Sequence, residues 1–176
     1  MILLIIDTQK AITNKNLYNF KQFKKNILLL ISESRKNNTE VIFTRHDDGF
    51  GTELSKETEG FEIYEPFKPK LQEKVFDKNV NSPFKSTGLL EYLHAKKETT
   101  IIVTGLQTEY CIDAAVKCGF EYGFTIIVPQ NANTTFDNSF MTGKQSYEYY
   151  NDFIWKNRYA QCISVEETIK RIKSSK

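Results

Sequence analysis

Ile101-Ile102-Val103-Thr104-Gly105-Leu106-Gln107-Thr108-Glu109-Tyr110-Cys111 is the stretch that decides the fold. Its first four residues are apolar or β-branched on successive positions, the pattern of a strand buried on both faces. Gly105 ends the run, and Thr108 is a good N-cap for a helix running to about residue 119. A buried strand, a tight turn and a helix form half of a βαβ unit. Working outward, the same alternation recurs. Ile2–Ile6 is a second doubly buried run. Residues 17–36 follow as a helix, with Phe20, Phe23, Ile27, Leu30 and Ile31 at helical spacing. Strands are expected at 41–44, 75–77, 125–128 and 160–164, and helices at 86–95, 138–155 and 165–173. The segment 46–71 carries Gly49, Gly51, Gly60, Pro66 and Pro69 and has no sustained period. The expectation is an α/β chain with one domain over 1–176. Its architecture is a three-layer α/β/α sandwich around a mostly parallel, Rossmann-like six-stranded sheet.

Bulk properties exclude several function classes. Among 176 residues, 24 basic side chains face 22 acidic ones, a formal net charge of +2. That balance leaves no electrostatic footprint for nucleic acid or an anionic membrane. The lysine-rich stretches, Lys21 to Lys25 and Lys170 to Lys173, sit in mixed-sign helical segments and read as solvated faces. Ile2–Ile6 is too short to span a bilayer and lacks a basic flank, so neither an anchor nor a secretion signal is expected. Three widely spaced cysteines point to free thiols in a reducing compartment, with the cytoplasm as the expected location.

In open parallel sheets the ligand sits at the carboxyl ends of the strands, where strand order reverses. That directs attention to Asp7, His46, Lys78 and residues 105–111. Cys111 falls in the first helical turn, where the helix dipole favours thiolate. Read alone, it is equally a buried structural cysteine. Asp7 ends a buried strand, where an unpaired carboxylate would be costly, although a plain strand-end aspartate is the competing reading. Lys78, alone, reads as a solvated lysine. Jointly, thiol, carboxylate and ammonium at one sheet edge make up the apparatus for thiolate attack on a carbonyl.

Three segments carry a resemblance. Leu3-Leu4-Ile5-Ile6-Asp7-Thr8-Gln9, then Lys78 with Asn81-Ser82-Pro83-Phe84-Lys85-Ser86-Thr87-Gly88-Leu89, then Val103 through Ile112 resemble, in order, the three motifs of the isochorismatase-like cysteine hydrolases. That superfamily includes nicotinamidases and N-carbamoylsarcosine amidohydrolases. The resemblance implies a hydrolase of an amide or related C–N bond in a small molecule, with an Asp7–Lys78–Cys111 triad and a thioester intermediate. It implies an oxyanion hole made of the Gln107 and Cys111 backbone N–H groups, with a cis peptide at Leu106–Gln107. A homo-oligomer, dimer or tetramer, is also expected from it. Gln9, His46, Phe84 and Tyr110, in or beside these motifs, are expected to line the substrate pocket. Asp7→Asn is expected to slow alkylation of Cys111.

The chain departs from the pattern in places. Nicotinamidases carry an Asp-x-His and a further histidine for a divalent metal. Here Thr44-Arg45-His46-Asp47-Asp48 is followed by no histidine until His94, so no metal or other cofactor is expected. Asn131, Asn133 and Tyr149-Tyr150 stand where many relatives have aspartate and histidines, which weakens transfer of any named substrate. A cysteine phosphatase would need an arginine shortly after its nucleophile, where Lys117 and Phe124 stand instead. Neither dinucleotide-binding nor P-loop glycine motifs occur. Two alternatives stay open: a non-catalytic relative that binds a ligand or partner, and a hydrolase of esters or ring imides. Cys118 and Cys162 read as core cysteines.

Overall fold

The computed structural model describes residues 1–175. Strand β1 (Ile2–Ile6) is its centre, and all five residues are fully buried. Their side chains alternate between two apolar layers, which is why the run shows no polar alternation. Ile2, Leu4 and Ile6 pack with α2 (Leu89–Ala95) and α3 (Asp113–Glu121), whereas Leu3 and Ile5 pack with α1 (Phe20–Lys36) and α5 (Val165–Ser174). The remaining strands are β2 (Glu40–His46), β3 (Lys74–Lys78), β4 (Thr100–Leu106), β5 (Thr125–Pro129), β6 (Asn133–Thr134) and β7 (Gln161–Ile163). They form a parallel sheet of order β3-β2-β1-β4-β5-β7, with β6 paired to the end of β4. The chain builds outward from β1 through β2 and β3, then returns to the other side with β4. The reversal of strand order therefore falls between β1 and β4. No helix of the described residues is long and apolar enough to cross a membrane.

The expected layers and strand–helix alternation are present, with three corrections. The sheet has a seventh strand, because Asn133 and Thr134 pair with Gly105 and Leu106. Two polar residues leave no hydrophobic pattern to read. The helix expected at 138–155 begins only at α4 (Gly143–Glu148), where Thr142 and Gln145 form a capping box, and widens to a π-helical turn over Tyr149–Ile154. Before it, Asp137 accepts from the Gly143 N–H, and Asn138 accepts from the amides of Phe140 and Met141, so these residues are turns. Finally, Thr108 is not an N-cap. Its hydroxyl donates to Asn133 (2.9 Å), and α3 is entered through a π-helical turn, Thr108–Ile112.

Register places the site. Ile6 pairs with Thr44 on one side and Gly105 on the other, while His46 pairs with Lys78. Gly105 has φ +119°, and a Cβ there would overlap the Ile6 backbone. Gly88, at φ +80°, has open space around it. Gly88→Ala is expected to cost about 1–2 kcal/mol for left-handed backbone alone. Gly105→Ala adds a backbone overlap and should cost upwards of about 3 kcal/mol. Urea denaturation of both variants measures the difference.

Candidate active site

Asp7 is the first residue past β1 and takes a left-handed conformation, φ 51°, which aspartate tolerates better than most residues. Its N–H donates to the Thr44 carbonyl (3.1 Å), so the turn stays tied to β2. One carboxylate oxygen, Oδ1, accepts from the Thr44 hydroxyl (2.7 Å). The other, Oδ2, lies 2.6 Å from Lys78 Nζ, and the two side chains are 2% and 0% exposed.

Lys78 closes β3 and places its ammonium, with three hydrogens to share, among four acceptor atoms. Besides Asp7 these are His46 Nδ1 (2.9 Å), Cys111 Sγ (3.2 Å) and the Val80 carbonyl (3.2 Å). An ammonium only donates, so His46 Nδ1 must accept and Nε2 must carry the hydrogen. Nε2 is 2.9 Å from Asp48 Oδ1, which receives it. The histidine ring is thereby oriented, with Nδ1 toward the ammonium and Nε2 toward Asp48. Its backbone is clamped as well: Gln9 Oε1 accepts from the His46 N–H (2.7 Å) and Gln9 Nε2 donates to the His46 carbonyl (2.9 Å).

Cys111 sits in the π-helical turn, 8% exposed. The Gln107 carbonyl accepts from the N–H groups of both Tyr110 and Ile112, which fixes the turn on either side of the thiol. The peptide Leu106–Gln107 is cis, as the resemblance implied. Below the turn, Thr108 rests on Asn133, and Asn133 exchanges two amide hydrogen bonds with buried Asn151 (2.9 and 3.1 Å). Beside it, Glu109 accepts from Thr135 (2.8 Å) and Ser146 (3.2 Å). The turn is therefore satisfied from two sides, as buried polar groups must be.

The helix dipole's pull toward thiolate is opposed at Cys111. Burial pushes the Cys111 thiol far above its ordinary range, and the charge of Asp7 pushes it further. Lys78 acts in the opposite direction but does not prevail. A helix-end dipole is worth about 0.3–1 kcal/mol at exposed sites, too little against this desolvation. Burial and the Asp7 carboxylate thus both favour the neutral thiol.

Of the four expected pocket residues, two line a cavity of about 180 Å³ over Cys111 and two do not. Asp7, His46, Asp48, Asn81 and Gln107 supply its polar surface; Ile12, Leu54, Leu106 and half-exposed Tyr110 supply the rest. Gln9 is fully buried beneath it, positioning His46. Phe84 is a core residue, stacked on Phe124 at 6.2 Å and edge-on to Tyr122 at 5.6 Å. Asn81, unremarked beyond its place in the motif, has Oδ1 3.7 Å from Cys111 Sγ. Thr44 is a further site residue, because its pairing with Ile6 brings its hydroxyl to Asp7. A larger and more open hollow, about 600 Å³, lies along residues 51–60 against Lys10 and Ala11, and contains none of the triad.

Asp7, His46 and Cys111 bring one metal-ligand type of atom each within 4.8 Å of one another. The cation they hold is the Lys78 ammonium, and the second His46 nitrogen is taken by Asp48. His94 stacks on Phe124 in the helical layer. These donors do not fit the divalent metal site of nicotinamidases.

The isochorismatase domain family model matches residues 1–167. The chain belongs to the isochorismatase family. It is 31% identical to the isochorismatase-family protein YrdC of Bacillus subtilis (strain 168) over 137 residues, 76% of this chain and 73% of that one. It is 29% identical to streptothricin hydrolase of Streptomyces noursei over 108 residues, 61% of this chain and 39% of that longer protein. A cysteine hydrolase from Pseudomonas syringae pv. phaseolicola 1448A has the same fold, with TM-score 0.91 at 21% identity, covering 99% of this chain and 93% of that one. This isochorismatase-family hydrolase thus keeps an aspartate, a lysine and a cysteine in mutual contact at the strand ends.

The charge balance around Cys111 reverses the expected effect of Asp7→Asn on alkylation. Removing the negative charge leaves Lys78 to stabilise thiolate unopposed, so the thiol becomes more acidic. Labelling by iodoacetamide at pH 7 should quicken by about tenfold or more, one pKa unit or greater. Slower labelling would show that Asp7 acts as a general base even in alkylation.

Proposed function

We propose that this chain is a cysteine hydrolase cleaving an amide, or a related C–N bond, of a small molecule through a thioester on Cys111. The observation that carries this reading is the Lys78 ammonium. It touches both the Asp7 carboxylate (2.6 Å) and the Cys111 sulfur (3.2 Å) beneath a cavity faced by Gln107 and Cys111. The hydrolase named among its relatives supports the same class of reaction.

In this reading the Cys111 proton passes to Asp7 Oδ2 as sulfur attacks the substrate carbonyl carbon. The proton transfer cancels the ion pair's negative partner, and Lys78 turns its charge toward the sulfur. The backbone N–H groups of Gln107 and Cys111 receive the oxyanion. Donors fixed in advance can be worth about 3–4 kcal/mol each in such a step. On collapse Asp7 returns the proton to the leaving nitrogen, the C–N bond breaks and an amine or ammonia departs. Water then attacks the thioester, giving its proton to Asp7. The second collapse releases the carboxylic acid, and the expelled thiolate recovers that proton. A neutral resting thiol suits the cycle, because thiolate forms only when a carbonyl is in place to take its electrons.

At about 180 Å³ the cavity is smaller than the ~300–1,000 Å³ typical of drug-sized ligands, which favours a small substrate. Incubation with a panel of small primary amides should release ammonia and yield an acyl adduct on Cys111 in intact-mass spectra. Cys111→Ala should lower turnover by at least about a thousandfold, and Asp7→Asn should do likewise despite its more acidic thiol. Ester or imide cleavage without any amide turnover would change the reaction class. The absence of any adduct with every panel would favour the non-catalytic binding reading.

A further inference from the structure

The cavity is asymmetric in charge. Its lining contains two carboxylates, Asp7 and Asp48, and no lysine or arginine. Asp7 is neutralised by Lys78, whose ammonium is spent on Asp7, His46, Cys111 and the Val80 carbonyl. Asp48 has no lysine or arginine partner among the described residues. Its Oδ1 lies 2.9 Å from His46 Nε2, and the other nitrogen of that ring faces the Lys78 ammonium. Half of its side chain, 51%, faces solvent at the mouth. The other cations of this region are already paired: Arg45 with Asp77 and Glu62, Lys10 with Glu59, and Lys56 between Asp47 and Asp77.

We infer that the substrate is an uncharged or cationic amide, that carboxylate-bearing substrates are rejected, and that Asp48 is the residue that sets this preference. With the Asp7–Lys78 pair internally cancelled, the carboxylate left at the entrance is that of Asp48. An anionic substrate must pass that charge and finds no free cation inside to meet it. A substrate ammonium instead meets Asp48 on entry, while its apolar body rests on Ile12, Leu54, Leu106 and the Tyr110 ring. The inference takes only the identity of the scissile bond from the proposed function; the charge preference is a property of the cavity.

Charge-matched reagents test it without requiring turnover. Cys111 would be labelled with iodoacetamide, iodoacetate and bromoethylamine, with the urea-unfolded chain supplying each reagent's intrinsic reactivity. Relative to that reference, iodoacetate should lag iodoacetamide by about tenfold at low salt, and the gap should narrow as salt screens the half-exposed carboxylate. Bromoethylamine should lead. Asp48→Asn keeps an acceptor for His46 Nε2 and removes only the charge, so it should bring all three rates toward the reference. Equal lag in Asp48→Asn, or iodoacetate labelling as readily as iodoacetamide, overturns the inference. In a parallel panel, kcat/KM should fall from β-alaninamide through butyramide to succinamate. If all three amides are inert while labelling keeps its order, the charge inference stands and the amide-hydrolase reading falls. If succinamate is the best of the three, the charge inference falls and the hydrolase reading stands.

Discussion

A single buried ammonium organises this molecule's chemistry. Lys78 Nζ is withdrawn from water and held by a carboxylate, an imidazole nitrogen, a thiol and a main-chain carbonyl. Removing an ion of this size from water costs several kcal/mol even after relaxation, and only close, well-satisfied partners offset it. Every other site residue is placed by that requirement. His46 must present Nδ1 as an acceptor, so Gln9 clamps its backbone and Asp48 takes its remaining hydrogen. Asp7 must keep one oxygen for the ammonium, so Thr44 takes the other. Cys111 is left between opposing charges in a dry setting, and desolvation decides in favour of the neutral thiol.

The sheet supplies the precision this arrangement needs. Thr44, Ile6 and Gly105 lie in one row of the register, and His46 and Lys78 in another two residues on, so four strands end within two residues of one another. Parallel strands with both faces buried cannot slip without exposing apolar residues, and a register fixed by the core also fixes the site. Close passage of Gly105 over Ile6 brings the nucleophile turn onto Asp7, and no other residue type fits there without displacing backbone. Rigid elements carry the reacting groups, while the irregular 46–71 stretch contributes Asp48 and Leu54 to the cavity wall. The proposed chemistry and the proposed charge selection thus draw on different parts of the fold.

Much of this was legible in the sequence. The doubly buried strands declare themselves as unbroken β-branched runs, and Asp7, Lys78 and Cys111 drew notice jointly, as three chemically matched groups expected at one sheet edge. What escaped depended on three-dimensional satisfaction of polar groups. Gln9 and His46 read alike as pocket residues, yet one lies beneath the cavity and the other in its wall. Phe84 sits next to a motif but turns into the core. Thr108 has the chemistry of a cap and is used instead to anchor Asn133, a bond whose partner lies twenty-five residues away in sequence. The acidity of Cys111 could not be read from its place on a helix, because burial and a neighbouring carboxylate outweigh the dipole there.

The central claim is that two opposite charges, Asp7 and Lys78, set the reactivity of Cys111. A double-mutant cycle on its labelling rate at neutral pH tests this most directly, using Asp7→Asn, Lys78→Met and the pair together. The account predicts opposite signs: faster labelling in Asp7→Asn, slower in Lys78→Met by about tenfold or more, and a rate between them in the double variant, which leaves no unpaired buried charge. Single variants that shift the rate in the same direction, or a Lys78→Met rate equal to that of the unaltered protein, would contradict it.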